Sequence, residues 1–153
     1  MIHIIQMEKS HLDEAMAIEE QCFCDPWSRK MLASEIENPA AIYYSAYDDN
    51  KTYAGYAGMV QILDEGHIHN VAVSKSHRRK GFARALIQML IKHAAENGVK
   101  YLLLEVRAGN DAAIALYESL DFKKLTTRPN YYKNPNEDAL VMILELNLGR
   151  QRE

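Results

Sequence analysis

A short basic loop in the middle of the chain links an apolar run to a strongly amphipathic segment. The apolar run covers Ile68 to Val73, the loop begins at Arg78, and the amphipathic segment begins at Phe82. This order predicts a strand, a turn and the N-terminus of a helix. The first N–H groups of a helix have no partner within it and lie at the positive end of its dipole, so they attract anions. The sequence therefore predicts a phosphate site at residues 78–84.

The residues of the loop indicate which phosphate ligands to expect. The loop has neither the lysine-serine ending of a nucleotide-triphosphate loop nor the three glycines of a dinucleotide fingerprint, so neither ATP nor NAD is the expected ligand. Gly81 allows the backbone to approach a ligand closely, and the small Ala83 leaves room for a bulky anion. A merely solvated basic loop is the alternative interpretation, and the rest of the sequence has to decide between the two.

Composition restricts the function further. A chain of 153 residues fits one domain, here residues 1–153, whose core needs no disulfide or metal. The net charge is −3, and lysine and arginine are scattered outside the basic loop, which argues against a nucleic-acid-binding surface. No apolar run approaches the length of a membrane span and no signal peptide is apparent, so we expect a cytosolic protein. Cys22 and Cys24 are expected to be reduced thiols near a loop.

Hydrophobic periodicity predicts the order βααβββαβαββ for the strands and helices. We expect a mixed α/β fold, a twisted sheet with helices on both faces. Ser10, Ser28 and Asn110 are predicted helix caps, and the fifth strand is expected to be buried on both faces. The predicted strands are Ile2–Met7, Tyr43–Tyr47, Tyr53–Leu63, Ile68–Val73, Tyr101–Val106, Phe122–Arg128 and Ala139–Leu146. The predicted helices run from Ser10 to Glu20, from Ser28 to Asn38, from Phe82 to Asn97 and from Ala112 to Leu120.

Several motifs, in order, resemble those of a known enzyme family. The Arg-x-x-Gly-x-Ala spacing of the basic loop resembles the pyrophosphate loop of the GNAT family of N-acetyltransferases, which hold acetyl-CoA. The segment from Leu104 to Phe122 closely resembles a long signature of the RimI-like ribosomal-protein alanine N-acetyltransferases. The resemblance continues at residues 25–28 and 128–132, so it spans most of the chain. It implies a single-domain GNAT fold with acetyl-CoA as cosubstrate.

The chemistry of acetyl transfer indicates a role for Glu105. An α-amino group has a pKa of about 8 and is mostly protonated at neutral pH, so a base has to remove a proton before the amine attacks. Glu105 is an acid in an otherwise apolar strand, where desolvation would raise its pKa towards the range of a general base, acting directly or through water. The alternative is a simple ion pair with Arg107 on the same strand face. The family resemblance favours the base.

The resemblance also implies an acid and a set of residues that contact the coenzyme. Tyr117 resembles the family's general acid, which protonates the departing thiolate. Tyrosines at helical spacing are more often core residues, but Leu116 and Leu120 would suffice to bury this helix and leave the hydroxyl free. A backbone N–H at Val71 would stabilise the oxyanion. The implied coenzyme contacts are Val71, Ala72, Val73, Arg78, Arg79, Lys80, Gly81, Phe82, Ala83, Arg84 and Asn110.

Aromatic residues at two places are implied to bind the acceptor. In the family the acceptor N-terminus enters between the loop after the first helix and the closing hairpin, which here carry Trp27 and the pair Tyr131 and Tyr132. These rings, together with Asn130, suit an extended peptide because they offer stacking surface and polar groups. Ordinary hairpin packing is the alternative for the tyrosines, and Trp27 could equally fill space beneath the second helix.

Two histidines on one strand face suggest a metal. His67 and His69 have no third ligand nearby, so we expect them to be structural and predict no metal. His69 faces the same way as Val71 and is a further candidate for an auxiliary base. One departure from the family pattern is Asp121, which stands where glycine is usual. Aspartate tolerates a left-handed backbone better than most residues, so we expect the turn to persist.

Three functions are compatible with these observations. The first is transfer of acetyl from acetyl-CoA to the N-terminal alanine of small-subunit ribosomal protein S-eighteen, with other protein N-termini as further acceptors. The second keeps the fold and cosubstrate but acts on a small amine or a lysine side chain. The third is a non-catalytic acetyl-CoA sensor, against which the presence of both Glu105 and Tyr117 argues. The sequence does not predict the oligomeric state.

Overall fold

The computed structural model describes residues 1–146. The strands are β1 (His3–Gln6), β2 (Ala41–Tyr47), β3 (Tyr53–Ile62), β4 (Glu65–Val73), β5 (Tyr101–Arg107), β6 (Lys123–Tyr132) and β7 (Glu137–Glu145). The helices are α1 (Leu12–Cys22), α2 (Arg29–Glu37), α3 (Phe82–Glu96) and α4 (Asp111–Ser119). Their order is the predicted one. The predicted domain extends to residue 153, and residues 147–153 lie outside the described part of the chain.

The strands form one mixed sheet in the order β1-β2-β3-β4-β5-β7-β6. β4 and β5 run parallel, and the pairs β1·β2, β2·β3, β5·β7 and β6·β7 are antiparallel. A parallel pair needs a crossover connection, and α3 lies in the chain between β4 and β5. The predicted mixed α/β fold is therefore confirmed.

The chain divides into two compact units. The first contains residues 1–60 and 69–93, and its core is unusually rich in tyrosine, with Tyr43, Tyr53 and Tyr56 packed among apolar residues of α1, α2 and β4. A buried hydroxyl needs a partner. Tyr53 has one in the hydroxyl of Ser45 at 2.8 Å. Burial raises the pKa of all three tyrosines, so they are neutral hydrogen-bond donors at physiological pH.

The second unit contains residues 61–68 and the chain from Ala94 onwards. Along β5, Leu102, Leu104 and Val106 are buried, whereas the residues between them are half-buried or exposed. The prediction that this strand is buried on both faces is therefore wrong. Successive side chains of a strand point to opposite faces, and only one face of β5 is fully covered, which leaves Glu105 on the more open face.

Two of the three predicted helix caps are confirmed. The Ser28 hydroxyl accepts a hydrogen bond from the Met31 N–H at 3.1 Å, and the Asn110 side chain accepts one from the Ala113 N–H at 3.2 Å. The prediction that Ser10 caps the first helix is wrong. Ser10 lies inside a short 3-10 helix, Lys9–His11, so α1 begins only at Leu12.

The turn residues and the cysteines follow the predictions. Gly98 after α3 has φ 77°, and Asp121 after α4 has φ 73°. Both residues are left-handed, which confirms that Asp121 adopts the conformation expected of a glycine replacement. Cys22 and Cys24 are free thiols at the end of α1 and in the loop that follows it.

Candidate active site

The predicted phosphate loop lies directly before α3 in the first unit. Arg79 and Gly81 have left-handed backbones, with φ 63° and 87°, and glycine is the residue that adopts this conformation without strain. The first hydrogen bond of the helix runs from the Ala85 N–H to the Gly81 carbonyl at 3.0 Å. The N–H groups of the preceding turn therefore point out of the helix end. This arrangement confirms the predicted strand, turn and helix N-terminus.

The side chains of the loop divide into exposed cations and one buried anchor. Arg78, Arg79, Lys80 and Arg84 are exposed, whereas Phe82 is 5% exposed. The Phe82 ring packs edge-on against the His77 ring, with 5.2 Å between centroids. Only the backbone of Phe82 is therefore available to a ligand, and its side chain fixes the start of the helix.

His77 is an anchor that sequence reasoning did not identify. Its Nε2 lies 2.8 Å from a carboxylate oxygen of Asp48, and its Nδ1 lies 2.6 Å from the Ser74 hydroxyl. These contacts hold the connection between β4 and the basic loop against the β2–β3 hairpin. The sequence shows a histidine directly before the basic loop, but not that it is buried. Asp48 is 29 residues away, and a serine near a histidine is too common to suggest the role.

The end of β4 is held by two side chains. The Arg78 Nε and the Cys22 thiol both donate to the Val73 carbonyl, at 3.3 and 3.4 Å. Ala72 is buried, and Val71 and Val73 are half-buried. The guanidinium of Arg78 is thus engaged at the strand end.

The acceptor residue predicted in the first unit, Trp27, is half-buried and packs against the tyrosine-rich core. This packing agrees with the space-filling alternative. Its ring also lies edge-on to the His69 ring, with 6.1 Å between centroids, and the Nδ1 atom of His69 lies 2.6 Å from Glu35 Oε1. Trp27 therefore combines a buried face with a polar neighbour on β4.

The two histidines of β4 have separate carboxylate partners. His69 contacts Glu35, and His67 Nε2 lies 3.0 Å from Glu65 Oε1. Within residues 1–146 no group of three or more histidine, cysteine, aspartate and glutamate side chains could hold a metal ion.

In the second unit, Glu105 lies in a cluster with residues of β6. Its Oε2 is 3.4 Å from Arg128 Nε, and its charge, after burial, raises the pKa of the neighbouring Tyr131. The Glu105 side chain is 33% exposed, so the predicted desolvation is wrong. The alternative ion pair with Arg107 is also wrong, because Arg107 pairs with Glu137 at 3.3 Å.

An irregularity in β6 accounts for the position of these partners. The register with β7 shifts between Arg128 and Tyr132, and Asn130 in this stretch has φ 53°. Such bulges redirect side chains and occur often beside active sites. Sequence reasoning included Arg128 in a motif but gave it no role, because a register shift depends on the partner strand.

The tyrosine pair belongs to the same cluster. The Tyr131 and Tyr132 rings are edge-on at 5.0 Å, and the Arg107 guanidinium lies 4.4 Å from the Tyr132 ring centroid. Burial, followed by the charge of Glu105, raises the pKa of Tyr132 to about 12 and also raises the pKa of Tyr131. Both hydroxyls are therefore protonated at neutral pH beside a carboxylate.

Tyr117 is the buried residue of α4. Leu116 and Leu120 are only half-buried, so the prediction that they alone bury this helix is wrong. The Tyr117 ring packs against Phe122 at 5.8 Å, and burial, with a smaller effect of Tyr132, raises its pKa to about 12. A phenol with this pKa keeps its proton at neutral pH and can give it up only to a base that forms during a reaction.

Two residues predicted to contact the peptide or the coenzyme make hydrogen bonds within the protein. The Asn130 side-chain oxygen accepts from Asn136 Nδ2 at 2.8 Å, and its backbone N–H donates to Asp138 at 2.9 Å. The Asn110 side chain caps α4. Their contacts with a peptide or a coenzyme stay predictions.

Comparisons with known proteins agree with this arrangement. The model of the acetyltransferase (GNAT) family matches residues 12–122. The [ribosomal protein bS18]-alanine N-acetyltransferase of Escherichia coli K12 is 40% identical over 148 residues, which cover 95% of this chain and 98% of that protein. The crystal structure of the ribosomal-protein-S18-alanine N-acetyltransferase from Escherichia coli has a TM-score of 0.87 at 39% identity, covering 95% of this chain and 94% of that one.

A more distant structure shares the fold alone. NAA60 of Arabidopsis thaliana, crystallised with acetyl-CoA, has a TM-score of 0.87 at 18% identity, covering 96% of this chain and 99% of that one. None of the helices in residues 1–146 combines the length and apolar character needed to cross a membrane.

Proposed function

Because the chain belongs to the GNAT acetyltransferase family, we propose that it transfers the acetyl group of acetyl-CoA to the N-terminal alanine of ribosomal protein bS18, the small-subunit protein S-eighteen. The observation that carries this proposal is the 40% identity, over almost the whole of both chains, to an enzyme named for that reaction. Other protein N-termini are further acceptors under the same proposal.

The first unit would hold acetyl-CoA. The N–H groups at the start of α3 and the exposed side chains of Arg79 and Lys80 suit a pyrophosphate, which carries charge on several oxygens. Backbone groups of Val71 and Val73 would bind the pantetheine arm, and the Val71 N–H would stabilise the oxyanion that forms on the thioester carbonyl.

The second unit would move the protons. Glu105 takes a proton from the acceptor ammonium, directly or through water, and the neutral amine then attacks the thioester carbonyl. A C–N bond forms, the C–S bond breaks, and the nitrogen loses its second surplus proton to water as the amide is formed. Tyr117, protonated because its pKa is about 12, gives its proton to the departing thiolate and regains one from solvent after the products leave. The exposure of Glu105 supports this role, since a base has to return its proton to solvent after each cycle.

The proposed acceptor contacts are Trp27 in the first unit and, in the second unit, Tyr131 and Tyr132. Their rings offer apolar surface, and the hydroxyls of the two tyrosines are neutral donors for the carbonyl groups of an extended peptide. We propose one acetyltransferase domain over residues 1–153 and, since ribosomal proteins are made in the cytoplasm, a cytoplasmic location.

The proposal is tested by thiol release from acetyl-CoA with matched acceptors. One peptide copies the start of bS18 with a free N-terminal alanine, a second is the same peptide N-terminally blocked with an internal lysine, and small amines form the third group. We expect strong preference for the free alanine peptide. Turnover only with the lysine peptide or small amines would assign the second candidate function, and binding of acetyl-CoA without turnover on any acceptor would favour a sensor.

A further inference from the structure

A buried carboxylate in the first unit has no part in the chemistry proposed above. Glu19, on α1, is 1% exposed, and a carboxylate is buried to this extent only when hydrogen bonds replace its hydration. Three donors do so. The Tyr56 hydroxyl and Asn70 Nδ2, the latter at 3.4 Å, contact Oε1, and the backbone N–H of Trp27 donates to Oε2 at 2.8 Å.

These donors come from three different segments. Tyr56 is on β3, Asn70 is on β4, and Trp27 is in the loop that joins α1 and α2. Asn70 is fixed from its other side, because the Tyr43 hydroxyl donates to its Oδ1 at 3.1 Å. The two strands therefore fix one oxygen of Glu19, and the second oxygen is directed at the loop.

The loop itself is open to solvent. Of residues 23–28, all except Trp27 are exposed. Its tryptophan therefore depends on the hydrogen bond to Glu19 and on packing against the core for its position. A backbone hydrogen bond to a charged, immobile acceptor restricts the peptide plane, and with it the direction of the attached side chain.

We propose that Glu19 is a positioning residue for the acceptor: its Oε2 fixes the α1–α2 loop and holds the Trp27 ring in the orientation that receives the peptide. This inference rests on the proposed function, in which Trp27 contacts the acceptor. Loss of the hydrogen bond between Glu19 and the Trp27 N–H, here called the tether, weakens acceptor binding. Acetyl-CoA binding is unaffected because the contacts of Glu19 Oε1 with Tyr56 and Asn70, which hold α1 against β3 and β4, are kept.

The change Glu19→Gln keeps the volume of the side chain but not its hydrogen bond with the Trp27 N–H. A carboxylate has two acceptor oxygens, whereas an amide has one oxygen and one NH₂ group. If the amide oxygen faces Tyr56 and Asn70, the NH₂ group meets the Trp27 N–H, donor against donor. The hydrogen bond from the Trp27 N–H is then lost, while the packing of α1 is kept.

The experiment compares Glu19→Gln with Tyr53→Phe. The control also loses one buried hydrogen bond, between Tyr53 and Ser45, but does not touch Glu19. Trp27 is the sole tryptophan of the chain, so its fluorescence and its quenching by acrylamide report the loop directly. In Glu19→Gln we expect greater quenching and a KM for the free alanine peptide raised about tenfold, the equivalent of one charge-assisted hydrogen bond. The Kd of acetyl-CoA, from calorimetry, and kcat should stay at the wild-type values, as all parameters should in Tyr53→Phe.

Two results would overturn the inference. One is unchanged quenching and unchanged acceptor KM in Glu19→Gln. The other is an equal loss of acetyl-CoA and acceptor affinity, which would indicate a general loosening of the unit. If Glu19→Gln does not fold, Glu19→Asp is measured by the same criteria, since its carboxylate is one methylene too short to serve both the strands and the loop.

A different result would refute the proposed function. Wild-type protein that does not acetylate the alanine peptide would refute the proposed function and, with it, the acceptor role of the tether. The quenching comparison would then still decide whether Glu19 holds the loop.

Discussion

Glu19 and Glu105 both lie beside tyrosine side chains, but their surroundings differ in exposure and in charge. Glu19 is almost completely buried, and its three donors are neutral groups. Glu105 is one-third exposed, and it pairs with the guanidinium of Arg128. Of these two carboxylates, Glu19 is enclosed by fixed donors and Glu105 can be reached by solvent.

The difference separates a structural carboxylate from one suited to proton transfer. A carboxylate with several fixed, buried donors stabilises the groups that donate to it, and protonating it would break those bonds. A carboxylate near the surface can exchange water, cation and substrate as partners at little cost, because the solvent compensates each loss. Five experiments test this distinction.

Glu105→Gln should have the largest effect on activity. Removal of a general base lowers turnover by about 10²- to 10⁴-fold, whereas the Kd of acetyl-CoA and the melting temperature should not change, because the side chain is partly exposed. Steady-state kinetics with the alanine peptide, calorimetry and thermal unfolding are the measurements. Glu118→Gln, a change at an exposed glutamate of α4, is the control. Unchanged kcat would remove the assigned role of Glu105.

Tyr117→Phe should slow turnover by about 10²-fold, a typical value for loss of a general acid. The fold should be retained because the ring stays packed against Phe122. Single-turnover kinetics of thiol release separate this chemical step from product release. A variant with wild-type kcat would make Tyr117 a core residue only, and a variant that unfolds would leave Glu105 as the sole supported member of the pair.

Glu19→Gln should lower the stability of the protein more than Glu105→Gln does, and lower its turnover less. The free energy of unfolding should fall by about 1–3 kcal/mol, since the part-buried Trp27 N–H is left without its acceptor and an amide replaces a carboxylate that is 1% exposed. Urea unfolding of both variants, monitored by circular dichroism, compares the two carboxylates directly. The distinction between them fails if Glu105→Gln is the less stable of the two.

The dependence of stability on alkaline pH tests whether the Tyr117 hydroxyl is buried. Tyr117 has a pKa of about 12 in the folded protein, against an ordinary value of about 10. The folded state therefore holds this proton more tightly, so the stability contributed by Tyr117 is complete below pH 10 and is lost as the pH rises towards 12. At pH 11 the loss is about 1 kcal/mol. Tyr117→Phe should lose correspondingly less stability than wild type between pH 8 and pH 11 in urea unfolding, and an equal loss would contradict the burial of this hydroxyl.

Arg128→Gln should have the smallest effect. The pair with Glu105 is 3.4 Å long and the arginine side chain is 59% exposed, so the interaction is worth about 0.2–1 kcal/mol. We expect at most about a fivefold change in kcat/KM, and the difference between variant and wild type should shrink in added salt. A loss as large as that of Glu105→Gln would show that Arg128 contacts substrate or holds the carboxylate far more firmly than an exposed ion pair does.

Local features were predictable because they depend on neighbours in the chain. The loop at Gly81, the caps at Ser28 and Asn110, and the left-handed turn at Asp121 are each determined by a few consecutive residues. The order of strands and helices follows from hydrophobic periodicity, which is also local. Ser10 is not a cap because Glu8 and His11 form a reciprocal capping pair around the short 3-10 helix that contains it.

The partners of the candidate site residues were not predictable in this way. The ion pair of Glu105 with Arg128 depends on the register of β6 against β7 and on its irregularity near Asn130. The three donors to Glu19 come from residues 8, 37 and 51 positions away. No periodicity within one segment contains that information.

The sequence by itself determined the fold class, the order of elements, the glycine-containing loop before α3 and the family, because these rest on patterns within continuous segments. The tertiary structure alone decided that Glu105 is accessible and paired with Arg128, that Tyr117 rather than Leu116 is buried on α4, and that Glu19 accepts a hydrogen bond from the Trp27 N–H. Burial and charge pairing are set by which distant segments meet, and strand register, on which those meetings depend, is a property of two segments together.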